Sequence, residues 1–337
     1  MKLNTHSVNT NGLTYNVAYF ENAVCYRQFV DEEMGRLLAY NQESWKDVQQ
    51  KAINRIRERA SWFGTPPPES LKALEEHKAF LGMALMEKIR PRVRQYLDKF
   101  LSMVNDKAIP KPKIAYNDRG LGVFSFDRAA MALFEHYKVD RASGIGTTVS
   151  QLNIELQQPS HATSVKKVFA FFENKNTSYP SIQLYFLAGA NSDVQGDSML
   201  YVGIAGAELI AFLEARGVAV EVNVIIGTQV GQTVNASVVC LKRYEHSADL
   251  NQLLLHCSDP RFFRFRGFKG LVAISNYFNT EIPPSLGRIE PAMGRQIAAL
   301  TSADAFVFEQ SYSLESASQE VLRIINEFSQ NVQSTTA

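Results

Sequence analysis

Residues 181–226 read SIQLYFLAGANSDVQGDSMLYVGIAGAELIAFLEARGVAVEVNVII, and this stretch decides the fold class. The run Leu184-Tyr185-Phe186-Leu187 lacks polar alternation, the pattern of a strand covered on both faces. It ends in the small residues Ala188, Gly189 and Ala190. A Gly- and Ala-rich helix over about Leu200–Ala215 suits close packing on a sheet, and the Arg216-Gly217 turn feeds a second strand, Val218–Ile226. This β-α-β order predicts a layered α/β domain. Val165–Phe172, Val234–Leu241 and Ala305–Phe308 read as further strands. Asp259-Pro260 fits an N-cap followed by proline at the first helical position, and Ser316-x-x-Gln319 fits a capping box opening a last helix. After Phe328 the tail has one apolar residue, Val332, so fraying is expected.

Upstream, Leu13, Tyr15, Val17 and Tyr19 alternate with other residues as in a half-buried strand, preceded by a polar Asn/Gly-rich leader. Ser44-x-x-Asp47 has the form of a capping box, and Trp45, Val48, Ala52, Ile56, Ala60 and Phe63 continue at helical spacing to Gly64. Thr65-Pro66-Pro67-Pro68 cannot extend that helix. A second helix is expected from about Ser70, with a kink at Pro91. Lys107–Lys113 (KAIPKPK) has little to bury and marks a boundary. The expected organisation is a mainly helical region 1–113, a connecting or inserted segment 114–160 with a helix over Asp127–Tyr137, an α/β domain 161–330 and a flexible tail 331–337.

A length of 337 residues with 45% apolar side chains removes any need for a disulfide or metal staple. Lys and Arg number 35 against 34 Asp and Glu, which excludes a histone-like cation or an acidic solvating tail. The balance hides a mild split, since residues 1–113 hold 18 basic and 13 acidic side chains. Cys25, Cys240 and Cys257 have no CxxC spacing, so a reducing cytoplasm is the expected compartment. The start MKLNTHSVNTNGLTY lacks the apolar core of a secretion signal. Val222–Leu241 is charge-free but carries Asn223, Gln229, Gln232 and Asn235, and reads as two strands and a turn rather than a membrane span.

No G-x-S-x-G elbow, phosphate loop, H-E-x-x-H or G-x-G-x-x-G occurs, which counts against common hydrolases, ATPases, metalloproteases and dinucleotide enzymes. The six histidines have no recurrent metal-ligand spacing. The β-α-β unit of residues 181–226 resembles the opening of a von Willebrand factor A domain. That resemblance implies a Rossmann-like layered sheet with flanking helices over about half the chain. Members with an intact metal site carry D-x-S-x-S after the first strand, holding Mg²⁺ through carboxylate and hydroxyl oxygens. Here Ala188-Gly189-Ala190-Asn191-Ser192 takes that register, and only Ser192 matches. Loss of the carboxylate removes the charge that would hold the cation, so neither metal nor cofactor is expected. Asp193 and Asp197 are the nearby carboxylates able to substitute; the plainer reading makes Asp193 a solvated loop residue and Asp197 a helix cap. Degenerate domains of this kind after a helical half are similar to uncharacterised bacteriophage-encoded proteins, which would place the protein in the host cytoplasm or the virion.

Two basic features remain. Lys51, Arg55 and Arg59 recur every four residues, a like-charge stripe costing about 0.2 to 0.5 kcal/mol per pair, or a solvated face balanced by Asp47 and Glu58. Arg261-Phe262-Phe263-Arg264-Phe265-Arg266-Gly267-Phe268-Lys269 interleaves cations with aromatics, a mixture able to stack bases and contact phosphates. As a helix from Pro260, it would instead bury Phe262 and Phe265 and turn Arg264 outward, the reading we favour. The function expected is therefore non-enzymatic protein–protein interaction or assembly, with another protein or a second copy as partner. The alternatives are a nucleic-acid-associated factor using the basic segments Lys51/Arg55/Arg59 and Arg261, Arg264, Arg266, Lys269, or an enzyme with a site around Ser192, Asp193, Asp197 and Ser198. No membrane partner is expected.

Overall fold

The computed structural model describes residues 4–76, 82–101, 114–117, 123–125, 169–172, 180–302 and 304–336. The chain enters as a hairpin of β1 (Asn4–Thr10) and β2 (Leu13–Phe20). Asn11 and Gly12 turn it, both at positive φ (54° and 77°), as a primed two-residue turn requires. The Asn/Gly-rich leader is thus half of a hairpin, and β1 is an exposed sheet edge.

Helices follow: α1 (Ala23–Met34), α2 (Ala39–Arg57), α3 (Leu71–Glu76) and α4 (Gly82–Leu101), which runs through Pro91. Residues Lys111–Ser178 form a compact unit of their own. Its described part is a three-stranded antiparallel sheet in the order β3 (Ile114–Asn117), β5 (Phe169–Phe172), β4 (Val123–Phe124). The strand expected at Val165–Phe172 therefore belongs to this unit, not to the α/β sheet. The helix expected over Asp127–Tyr137 lies outside the described residues.

The other unit joins Met1–Pro110 to Tyr179–Ala337. It continues with β6 (Ser181–Leu187), α5 (Tyr201–Ala215), β7 (Ala219–Val230), β8 (Thr233–Lys242), α6 (Leu250–Ser258), α7 (Phe268–Tyr277), α8 (Met293–Ala299), β9 (Phe306–Phe308) and α9 (Leu314–Thr336). Its sheet has the order β1-β2-β8-β7-β6-β9. The pairs β2–β8, β7–β6 and β6–β9 are parallel; β1–β2 and β8–β7 are antiparallel. The α/β class follows from the sequence as read, but the helical N-terminal region is not a separate core. Strand β2 pairs with β8 in the same sheet, a contact across some 220 residues that leaves no local mark in the sequence.

Side chains alternate across a strand, so the register assigns the faces. Phe20, Phe186, Asn235 and Phe306 share one face and meet α1, α5, α7 and α9: Phe20 packs on Tyr26 and Phe29, Phe186 on Gly206, Asn235 donates to Ser275 at 3.0 Å, and Phe306 packs on Phe328. The opposite face carries α8, where Tyr15 donates to Gln296 at 2.7 Å. Gly206 is required for the close approach, because a Cβ there would lie 2.3 Å from the Phe186 ring. Helix α5 is the core of this layer. The span Gly196–Ala215 is long and apolar enough to cross a membrane by length and composition, yet 67% of its apolar window is buried within the molecule. Helix α4 covers it through Ile89, Val93 and Leu97, spaced by four, and Arg90 pairs with the buried Glu208 at 2.6 Å.

Helices α2 and α9 differ from expectation at both ends. Helix α2 starts five residues before Ser44, which is buried within it and donates to the Ile282 carbonyl; a Ser-x-x-acid pattern inside a helix mimics a cap. At its other end the Ala60 N–H reaches the Arg55 carbonyl and the Arg59 N–H reaches that of Ile56, a Schellman closure with Arg59 at φ 50°. Arg59 thus leaves the helix, and the Lys51/Arg55/Arg59 stripe shortens to two residues. Helix α9 is capped by Ser313 and Ser316 reciprocally, each hydroxyl accepting the other's N–H at 3.1 Å, three residues earlier than expected, and it runs to Thr336 through the supposed tail. Because glycine occupies the left-handed region without the Cβ penalty, Arg59→Gly is expected to stabilise the protein by about 1 kcal/mol, read as a raised urea midpoint.

Candidate functional site

From β6 the chain crosses through α5 to β7 on one side; it returns much later as β9 on the other. The loops after β6 and β9 leave the carboxyl ends of neighbouring parallel strands, the end at which α/β sheets take their ligands. A cleft of about 1730 Å³ lies there. Lys51 and Arg55 of α2, Phe63, the β7–β8 turn and residues 283–292 form its walls, with Asn191–Asp193, Arg264, Glu309, Gln310 and Tyr312 at the strand ends. The 283–292 wall is latched to β7: Gln229 and Arg288 exchange backbone bonds of 2.7 and 2.9 Å, and Thr228 donates to the Leu286 carbonyl at 2.6 Å.

The loop after β6 is tied by protein groups at each step. Ala188 and Ala190 are buried. Gly189 sits at φ 93° with the Phe263 ring against it, so a Cβ would lie 2.0 Å from Cζ. Asn191 exchanges two bonds with the backbone of Ile289, at 3.0 and 3.1 Å. Gln310 donates to the Gly189 carbonyl at 2.9 Å, and Arg264 Nη2 donates to the carbonyls of Asn191 (2.6 Å) and Val194 (3.0 Å). The residues at the D-x-S-x-S register do not fit a hard cation: two are buried alanines, and the carbonyls of Gly189 and Asn191 are taken by an amide and a guanidinium. Among the described residues, no three His, Cys, Asp or Glu side chains gather into a metal-binding group.

The four residues expected around Ser192–Ser198 divide. Ser192 and Asp193 are exposed on the cleft, whereas Asp197 and Ser198 lie in a 3₁₀ turn, Gly196–Met199, outside its lining. Leu200, not Asp197, holds the N-cap position of α5; Asp197 contributes its carbonyl, which accepts the Leu200 N–H.

The basic-aromatic segment is helical from Pro260, with Asp259 Oδ1 accepting the N–H groups of Arg261 (2.7 Å) and Phe262 (3.2 Å). Phe262–Gly267 adopts a π-helical turn. The extra residue in that turn widens the inward arc, and Arg264, expected to point outward, is buried beside Phe263. Arg261 is buried too, donating to the carbonyls of Pro66 and Pro67. Arg266 lies over Phe262, and Lys269 pairs with Asp31 at 2.7 Å. Lys51 pairs with Asp47 at 2.6 Å. The segment holds the interior together rather than presenting a basic, aromatic surface.

Residues 168–332 match a family described as a domain of unknown function (DUF7192). The match covers β6 to β9, the Phe263–Arg264 pair and Tyr312, and excludes α2 and Phe63. Neither a curated protein nor a solved structure matches the chain.

Phe63, which the sequence placed at a helix end, is the residue that completes the site. It sits in a turn at φ 49°, its carbonyl accepts the Gly196 N–H at 2.6 Å, and its ring carries the guanidinium carbons of Arg55 and Arg264 at 4.4 and 4.6 Å from the centroid. Burial drives the Arg264 pKa down to about 10, against the pull of Tyr312 and Asp193, and Arg55 repels it further. Burial also raises the Tyr312 hydroxyl and the Glu309 carboxyl, the latter restrained by Arg295. Arg264 Nε and the Tyr312 hydroxyl are buried without hydrogen-bond partners among the described residues.

Gly189→Ala is expected to destabilise the fold by roughly 2 to 4 kcal/mol, from the positive φ and the clash with Phe263. Urea unfolding of G189A, F263A and G189A/F263A checks this, with the loss in the double variant smaller than the sum of the two single losses.

Proposed function

We propose that the protein is a non-enzymatic interaction or assembly protein, a von Willebrand A-type domain whose partner protein binds in the cleft at the ends of β6 and β9 without a bridging cation. The carrying observation is the closure of the Ala188–Ser192 loop by Phe263, Arg264, Gln310 and the Asn191–Ile289 pair beside an open cleft. The β-α-β order with its small-residue loop supports the domain type. A second copy of the chain is among the partners this reading admits, and the cytoplasm or a virion is the setting it proposes. The burial of Phe262, Phe263 and Phe265 weighs against nucleic acid, since bases stack on exposed rings. The separation of Asp197 and Ser198 from the cleft weighs against a catalytic cluster around Ser192.

Two measurements test the proposal. Thermal melting is expected to stay flat as Mg²⁺ or Mn²⁺ is raised, where a site at a hundred times its dissociation constant would add about 2.7 kcal/mol; saturable stabilisation overturns the cation-free reading. Peptides selected from a random display library are expected to bind the wild type and lose binding to Ser192→Trp, which fills the cleft from an exposed position. Failure to select any peptide, or binding indifferent to S192W, overturns the cleft.

A further inference from the structure

Arg55 and Arg264 approach one phenylalanine ring within the cleft, and neither has a carboxylate within 4.0 Å among the described residues. Arg55 spends Nη1 on the Ser61 carbonyl at 2.8 Å. Arg264 spends Nη2 on two loop carbonyls, which leaves Nε and Nη1 without an acceptor. A nearly buried guanidinium with half its fork unused is costly, and a second cation beside it adds repulsion. Asp193 attracts Arg264 from the exposed loop but forms no ion pair with it. Of the other charged groups lining the cleft, Lys51 pairs with Asp47 and Arg295 with Glu309 at 3.5 Å, while Glu58, Arg288 and Glu290 make no ion pair among the described residues. At Phe63, where two guanidinium groups meet, the unmet demand is for an oxyanion.

The size of the cleft indicates the source. Sites for small molecules occupy roughly 300 to 1,000 Å³, and this one reaches about 1730 Å³. Room of that extent suits a peptide segment, whose unmodified oxyanion is a carboxylate. A guanidinium fork binds that group in its own plane.

Resting on the cleft as the partner site, we infer that Arg55 and Arg264, held on Phe63, form a seat for an Asp or Glu side chain of the bound protein segment. The seat would hold the carboxylate with two arginines and no metal ion: Arg264 is fixed by the loop carbonyls, and Arg55 stands on the helix wall.

The test uses the full chain and display-selected peptides. Selected sequences are expected to share an Asp or Glu, and its exchange for Asn or Gln is expected to weaken binding about tenfold on the wild type. On Arg55→Gln the acidic peptide is expected to bind about tenfold more weakly and the exchange to cost less than on the wild type, the signature of a coupled pair. R55Q keeps the Arg264 contacts, so its melting temperature is expected to hold. Asp193→Asn is expected to raise peptide affinity severalfold, because a competing carboxylate is gone. Peptides that bind in an S192W-sensitive way but without an acidic requirement would overturn the seat and leave the cleft standing. Equal losses on wild type and R55Q, or a D193N variant that melts lower with unchanged peptide affinity, would make Asp193 the built-in counter-charge and overturn the seat. Binding indifferent to S192W would remove cleft and seat together.

Discussion

The guanidinium of Arg264 joins three parts of the chain that lie far apart in sequence. Its Nη2 holds the loop after β6 by two carbonyls, its face lies on Phe63 from the turn after α2, and its backbone belongs to the π-helical turn before α7. Without it the Asn191 and Val194 carbonyls would lose their donor, and Phe63 would lose one of its two cations. That loop lines the cleft, so the outline of the cleft depends on a buried charge. The site is built around an arginine fixed to the loop after β6.

The same arrangement explains how far the sequence could be read. The β6-α5-β7 unit was legible because an unbroken apolar run and a small-residue helix are local signals with few competing explanations. The pairing of β2 with β8 was not, since either strand satisfies its alternation against any sheet edge. Ser44 and Ser316 misled for one reason: a hydroxyl followed by a polar residue three places on is common within helices, and only the backbone tells where a helix begins. Arg264 misled for another. Its outward placement assumes 3.6 residues per turn, and the π-helical turn changes that period over the six residues at issue. The candidate site inherits this limit: Ser192, Asp193, Arg55 and Arg264 were all singled out by residue type, but the ring that unites two of them was counted as the end of a helix.

Charge is likewise informative only after folding. The near-neutral total and the mild basic bias of residues 1–113 describe a surface average. What matters inside the fold is desolvation, which lowers the proton affinity of Arg261, Arg264 and Arg266, and of these three Arg264 lines the cleft. Three arginines from one nine-residue segment thus serve the interior, two of them by supplying donors to carbonyls that loops would otherwise leave bare.

The contact between Gly189 and Phe263 also bears on how such a sequence can change over time. Position 189 cannot gain a side chain while position 263 keeps its ring, so the two are bound to vary together. An aspartate placed at position 188 alone would put a carboxylate in a fully buried site, where an unpaired charge costs several kcal/mol.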